Sequence, residues 1–320
     1  NMELIRRAQE AGVDTIVTCD NGIAAPAEIA FAKKIGMTVI VTDHHEVQEV
    51  LPDADVIVNP RQPDCSYPYK KLCGAAVAWK LVQELWTRLS YPPGLAYGDL
   101  LMFAAFATVG DVMDLTGENR ILVREGLKLL RRTGHPGMSA LIEVNELSRE
   151  RLSAYHIGFV LGPCINASGR LDTAKRALEL LDTEDRDQAL VRAAELKRLN
   201  DERKTLTEKG VEEAVQQIEQ GPLKEDRVLV VYLPDCHESL AGIIAGRIRE
   251  RYYRPVFVLT RGEEAVKGSG RSIEAYSMFE EMSRCRELFL KYGGHPMAAG
   301  LSIPEDRVDE FRSRLNEGCR

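Results

Sequence analysis

A chain of 320 residues, 44% of them hydrophobic, can bury a substantial core and by its length favours two domains over one. The net charge is −7, with 33 acids against 26 bases before residue 221 and 16 of each after it. Global charge therefore does not advertise a nucleic-acid binder, and the acidic half fits either solvated helix faces or a cluster of metal-binding carboxylates. The longest nearly uncharged apolar stretch, around Leu100 to Gly110, is too short to span a bilayer, and no signal segment is read at the start. Seven cysteines without a CxxC pair argue against a zinc ribbon or a disulfide framework, so reduced, mostly packed thiols and a cytoplasmic location are expected.

The first 60 residues alternate helix and strand. Met2 to Ala11 reads as a short amphipathic helix, Val13 to Thr18 as a buried strand, Ala25 to Ile35 as a helix closed by Gly36, Met37 to Thr42 as a strand, and Val56 to Val58 as a third. Such alternation predicts a parallel sheet covered by helices, with ligands at the carboxyl ends of its strands. Leu72 to Leu85, Leu100 to Ala107 and Asn119 to Arg131 carry helical patterns. Asp185 to Glu219 holds no proline and one glycine, Gly210, which predicts one long helix, straight or bent, ended by Gly221-Pro222. A second strand-rich region follows: Arg227 to Leu233 and Pro255 to Thr260 as strands, with helices near Ala241 to Arg251 and Glu305 to Asn316. The predicted fold is α/β: a parallel-sheet domain over residues 1–184, a connecting helix over 185–220 and a smaller α/β domain over 221–320.

The chemistry concentrates at predicted strand ends. Asp43, His44 and His45 follow the apolar run Met37 to Val41, and on a loop the two imidazoles can address different parts of one pocket. Imidazole with carboxylate suits Mn²⁺, Fe²⁺ or Zn²⁺ and hydrolytic chemistry, although a polar loop with capping roles would read the same way. Asp20 in TCDNGI and Asp111 in ATVGDVMDL also follow apolar stretches. Asp111 alone would pass for a helix N-cap or a loop acid; together the acids are the strand-end ligands that metal-assisted phosphoester hydrolysis requires, one of them able to bridge two cations.

The segments VDTIVTCDNGI, VIVTDHHE, NPRQPDCSYPYKKLCGAAVAWKL, ATVGDVMDLTGENR, GPCINASGRLDTA and GSGRS with LKYGGHPMAAGLSI follow the order seen in the DHH phosphoesterases. The chain resembles their RecJ-like, single-strand-specific exonuclease branch along essentially its whole length. The resemblance implies Asp20 as a bridging metal carboxylate, His44 and Asp111 as ligands of one metal, and Asp43 as the acid that helps build that site. It implies His45 as the histidine facing the scissile phosphate, where an imidazole can stabilise charge or shuttle a proton. Asn166 and Arg170 match the polar pair that reaches the substrate phosphate, and an arginine fork can hold two phosphate oxygens. Cys164 stands where the family often has arginine. Arg271, Gly293, Gly294 and His295 match nucleotide-holding positions of the second domain, although Gly-Gly-His alone would be an ordinary tight turn. His237 matches a position supporting the cleft, whereas His135 reads as a surface-loop residue and His156 as a packed one.

On this resemblance the family's aspartate-rich first motif would lie before Asn1, and its oligonucleotide-binding barrel beyond Arg320. The expectation is a two-cation site, Mn²⁺ or Mg²⁺, whose second half is incomplete in this chain, leaving it inactive by itself. The expected activity of the parent is exonucleolytic hydrolysis of single-stranded DNA, from the 5′ end, in repair and recombination, with a helicase and a single-strand-binding protein as candidate partners. A cleft between domains joined by a helix would admit a flexible strand more readily than a duplex. Two other readings stay open at this point: a phosphodiesterase for short oligonucleotides or cyclic dinucleotides, and a non-catalytic nucleic-acid-binding scaffold.

Overall fold

The computed structural model describes residues 1–89 and 97–317, with side chains from residue 100 onward in the second stretch. It divides into two compact units, one of residues 1–165 and 177–197, the other of residues 166–176 and 198–320.

The first unit is built on the predicted alternation. Helix α1 (Met2–Glu10) leads to strand β1 (Thr15–Val17), α2 (Pro26–Lys34), β2 (Thr38–Thr42) and β3 (Val56–Val58), and the strands pair in parallel in the order β1-β2-β3. Pro26 at the first helical position supplies a φ suited to helix initiation, and Gly36, at φ +84°, takes the left-handed turn after α2. Ile29, Ala32, Met37, Val39 and Val41 form the core beneath this sheet. A helical layer follows: α3 (Gly74–Leu89), α4 (Tyr97–Gly110), α5 (Gly117–Arg132) and α6 (Pro136–Val144). Leu72, Cys73, Ala76, Val77, Ala104 and Leu122 make its core.

Next comes a helical run that periodicity did not reveal. A single turn, α7 (Ala154–His156), passes through a π-helical turn over Ile157–Leu161 into α8 (Gly162–Leu171), and α9 (Lys175–Asp182) follows. His135 and His156 act at helix starts. His135 caps α6, its ring accepting from the Met138 amide at 3.3 Å, and His156 shares a capping box with Ser153. The long predicted helix is α10 (Arg186–Gln220), 35 residues without a break at Gly210.

In the second unit β4 (Leu229–Tyr232), α11 (Ala241–Tyr252) and β5 (Val256–Arg261) repeat the parallel theme. The sheet then turns antiparallel through β6 (Val266–Arg271), with helix α12 (Met278–Arg284), β7 (Lys291–His295), β8 (Ala298–Ile303) and α13 (Val308–Glu317) completing the unit. Strand order is β4-β5-β6-β8-β7. Hydrophobic clusters fill both of its sides, one around Phe257, Met278 and Phe311, the other around Val231, Ile244 and Val258. None of the six described cysteines forms a disulfide, and Cys73, Cys164 and Cys285 are buried; Cys319 lies outside the described residues. Among the described residues no helix is long and apolar enough to cross a membrane.

Candidate functional site

Parallel pairing delivers the acids to one edge of the first sheet. Asp20 lies three residues beyond β1 and Asp43 directly after β2. Both exits are held by main-chain bonds that continue the ladder: the Asp20 amide donates to the Thr42 carbonyl at 3.1 Å, and the Asp43 amide to that of Val58 at 3.0 Å. The Thr18 hydroxyl donates to the Asn21 carbonyl at 2.7 Å and tightens the loop. Asp20 sits at φ +63°, in the left-handed region, which costs a non-glycine residue about 1–3 kcal/mol.

His44 is the centre of the cluster. Its side chain is 8% exposed, with Nε2 3.0 Å from Asp20 Oδ1 and 3.4 Å from Asp111 Oδ2. These approaches lack the direction of a hydrogen bond, and neither ring nitrogen has a hydrogen-bond partner. A buried polar atom without a partner costs about 1–3 kcal/mol. Its persistence beside two carboxylates fits a shared cation, because ligand atoms then aim at a common point instead of at one another. The mixed nitrogen and oxygen set suits a divalent ion.

Asp111 is neither an N-cap nor the strand-end ligand expected, because the apolar stretch before it folds as a helix. It follows the last residue of α4 and its amide closes on the Ala107 carbonyl at 2.8 Å. A carboxylate at a helix C-terminus meets the negative end of the dipole, an arrangement that a bound cation would relieve. Val112, next in the chain, is left-handed at φ +55°, a rare conformation for a β-branched residue.

Asp43 plays a different part. It is 1% exposed, and burial by itself would raise its pKa. Donation from the Ile23 amide at 3.0 Å, the His45 ring at 2.7 Å and the His44 and His45 amides at 2.7 and 3.2 Å outweighs that and holds its carboxyl below the ordinary aspartate value. The carboxylate accepts from His45 Nδ1, which puts a proton on that nitrogen and leaves Nε2 free of Asp43. His45 itself is half-exposed. Ligand atoms of Asp20, Asp43, His44 and His45 all lie within 4.8 Å of one another.

The remaining expected site residues belong to the second unit. Arg170 is exposed and donates to the Ser239 carbonyl at 3.1 Å; the Ser239 hydroxyl in turn lies 2.7 Å from His237 Nδ1. Arg271, in β6, donates to the Gly270 carbonyl at 2.7 Å. Burial first, then the charges of Arg170 and Arg249, push its pKa down. Among the described residues neither Arg170 nor Arg271 has a carboxylate partner, so the pair presents positive charge suited to an anion. Gly293, Gly294 and His295 form the end of β7, an edge strand, and do not make a loop. Gly294 is held at φ +148°, where a Cβ would overlap the Ala298 carbonyl. Asn166 is exposed on α8.

Two residues that the motifs did not single out shape these sites. A Cβ on Gly74 would overlap the Asp20 carboxylate, and one on Gly242 would come within 2.8 Å of Arg271 Nη2. Glycine at the start of α3 and of α11 is the only trace in the sequence of these close approaches.

Residues 2–105 match the DHH family N-terminal domain, and residues 225–320 match the DHHA1 domain. A Bacillus subtilis protein, the single-stranded-DNA-specific exonuclease RecJ, is 40% identical over 319 residues, covering 99% of this chain and 40% of that protein. The Salmonella typhimurium protein of the same name is 39% identical, with 58% of its length covered, so the chain spans about half the length of these relatives. Among solved structures, RecJ from Thermus thermophilus in complex with Mn²⁺ superposes with a TM-score of 0.86 at 36% identity, over 99% of this chain and 46% of the other. A manganese-bound exonuclease RecJ gives 0.85 at 36%, over 99% and 78%. The chain belongs to the DHH family, in its RecJ group.

Proposed function

We propose that the chain forms the catalytic portion of a metal-dependent exonuclease that hydrolyses phosphodiester bonds of single-stranded DNA, from the 5′ end, in repair and recombination. The observation that carries this reading is the convergence of buried His44 on the Asp20 and Asp111 carboxylates, with His44 Nε2 unsatisfied between them. Asp20, His44 and Asp111 would hold a divalent cation, Mn²⁺ or Mg²⁺, and Asp20 would bridge to a second. When bound, such ions activate water and neutralise charge on the phosphate.

The chain's own residues supply the rest. His45, fixed through Nδ1 by Asp43, offers Nε2 to the scissile phosphate to stabilise charge or pass a proton. Asp43 acts as the positioning residue behind it. Asn166, Arg170, Arg271, Gly293, Gly294 and His295 are assigned to the strand's phosphates, a role favoured by the absence of a carboxylate partner for either arginine among the described residues. We read residues 1–184 as the catalytic domain, 185–220 as the connecting helix and 221–320 as the substrate-binding domain; within the first of these, residues 166–176 cluster with the second unit. A cytoplasmic setting and work alongside a helicase and a single-strand-binding protein complete the reading.

The test compares degradation of a 5′-labelled single strand and its duplex by the parent protein in Mn²⁺, alongside His45→Ala and Arg170→Ala. Preference for the single strand is expected. His45→Ala should lower turnover more than affinity, and Arg170→Ala should weaken binding and flatten its salt dependence. Equal digestion of duplex and single strand would refute the specificity, and equal affinity losses in the two variants would refute the division of roles.

A further inference from the structure

Tyr155 and Phe159 have no part in the site described above, yet both are exposed, at 62% and 70%. Their rings stack on each other with centroids 5.0 Å apart and planes 30° apart. The backbone that presents them runs from α7 into the π-helical turn over Ile157–Leu161, a form that occurs mostly as single turns, frequently at functional sites.

The presentation is fixed. Ile157 and Leu161 anchor the turn in the core, the Ser153–His156 capping box holds its start, and the Arg131 guanidinium grips the Leu152 carbonyl at 2.7 and 3.1 Å. Aromatic rings on ordered backbone lose little freedom when a ligand covers them.

Position links the pair to the acids of the first unit. A Cβ on Gly158, between the two aromatics, would lie 3.6 Å from Val109 Cγ1. Val109 precedes Asp111 by two residues, about 7 Å of chain at most. Val112, the residue after Asp111, is 89% exposed. The turn that carries the two rings thus packs on the end of the helix that Asp111 follows, and an exposed Val112 stands beside that carboxylate. The local charge also differs from its surroundings: Ser148 to Leu171 carries three arginines and one acid, in a half of the chain that is acidic overall.

We propose that Tyr155 and Phe159 are a stacking platform for the bases of the single strand whose phosphate the acids around Asp111 would hold through a bound cation. The inference rests on the nuclease reading and extends it from phosphate to base. Every nucleobase has a flat π face, so a stacked aromatic pair holds a strand without reading its sequence. Bases inside a duplex already stack on their neighbours and offer no free face, so the platform favours a single strand by its chemistry.

Binding of a labelled thymidine 20-mer, and of an abasic strand of equal length, is to be followed by anisotropy in EDTA, so that nothing is cut. The chain is compared with Y155A/F159A, Y155L/F159L and Y155W/F159W, each checked by thermal melting. The expected result is a loss of roughly ten- to a hundred-fold on the thymidine strand in the alanine and leucine variants. On the abasic strand the loss should be under about twofold, and the tryptophan variant should retain binding. Unchanged thymidine binding, or equal losses on both strands, would overturn the platform and leave the nuclease reading standing. A lower melting temperature in the leucine variant with unchanged binding would overturn it too, by assigning the pair to protein packing. Failure of the unmodified chain to bind either strand would overturn both readings.

Discussion

The two sheets of this chain are held in opposite ways. In the second unit β5 is buried along five of its six residues and hydrophobic clusters cover both sides of the sheet. In the first unit β1 has, among the described residues, only β2 for a neighbour, Val17 is 57% exposed on it, and α1 buries none of its residues. Yet the first unit carries the densest chemistry. Its acids are positioned by short-range bonds and strained backbone: four contacts to Asp43, a left-handed Asp20, a glycine that clears room for it. The second unit positions Arg271 by placing it in a fully paired strand. Local hydrogen bonding can therefore fix a reactive cluster where long-range packing is thin, and the two strategies should respond differently to mutation.

The largest effect is expected in the packed sheet. Phe257 is fully buried, its ring edge-on to Phe311 at 5.1 Å. Phe257→Ala should cost about 3–5 kcal/mol, read as a lower urea midpoint. A loss below about 1 kcal/mol would mean that the second unit is no better packed than the first.

Asp43→Asn probes the local strategy. An amide in place of the carboxylate would turn a donor toward donors, at a cost of about 1–3 kcal/mol. Acid should act on the same group. Its folded pKa lies below the unfolded value of about 3.9, so its contribution is complete above that value and is lost as pH falls through the folded pKa. The parent chain should accordingly lose stability relative to the Asn variant as pH is lowered below about 4, in paired acid titrations. Parallel curves would show that Asp43 is not held as an anion.

Gly74→Ala should be milder for folding and specific for the cluster. Alanine is the better helix former, but its Cβ would displace the Asp20 carboxylate. Mn²⁺ affinity is expected to fall by about tenfold or more, by calorimetric titration, with little change in melting. Unchanged affinity would remove Asp20 from the metal site.

What the sequence made legible follows the same division. Asp20, Asp43 and His44 were readable because each follows an apolar β-branched run, and parallel pairing then forces them to one edge. Strands β6 and β7 were not, because Gly268, Gly270, Gly293 and Gly294 look like loop residues until the close approach of Leu259, Phe257 and Ala299 is known. The π turn at Ile157 was hidden because one extra residue breaks the 3.6 period by which helices are recognised. Gly74 and Gly242 matter only through side chains distant in sequence, which no local pattern encodes.

The smallest expected effect is the sharpest test of the contrast. Val17 sits in a sheet, where a β-branched residue ordinarily contributes through burial, but more than half of its surface remains in water. Truncating it removes little apolar contact, so Val17→Ala should change stability by no more than about 0.5 kcal/mol, far less than Phe257→Ala. The pair of urea midpoints measures how differently the two sheets are built. Should Val17→Ala cost 2 kcal/mol or more, that side of β1 must be covered in solution, and a concentration-dependent midpoint would identify a second copy of the chain as the cover.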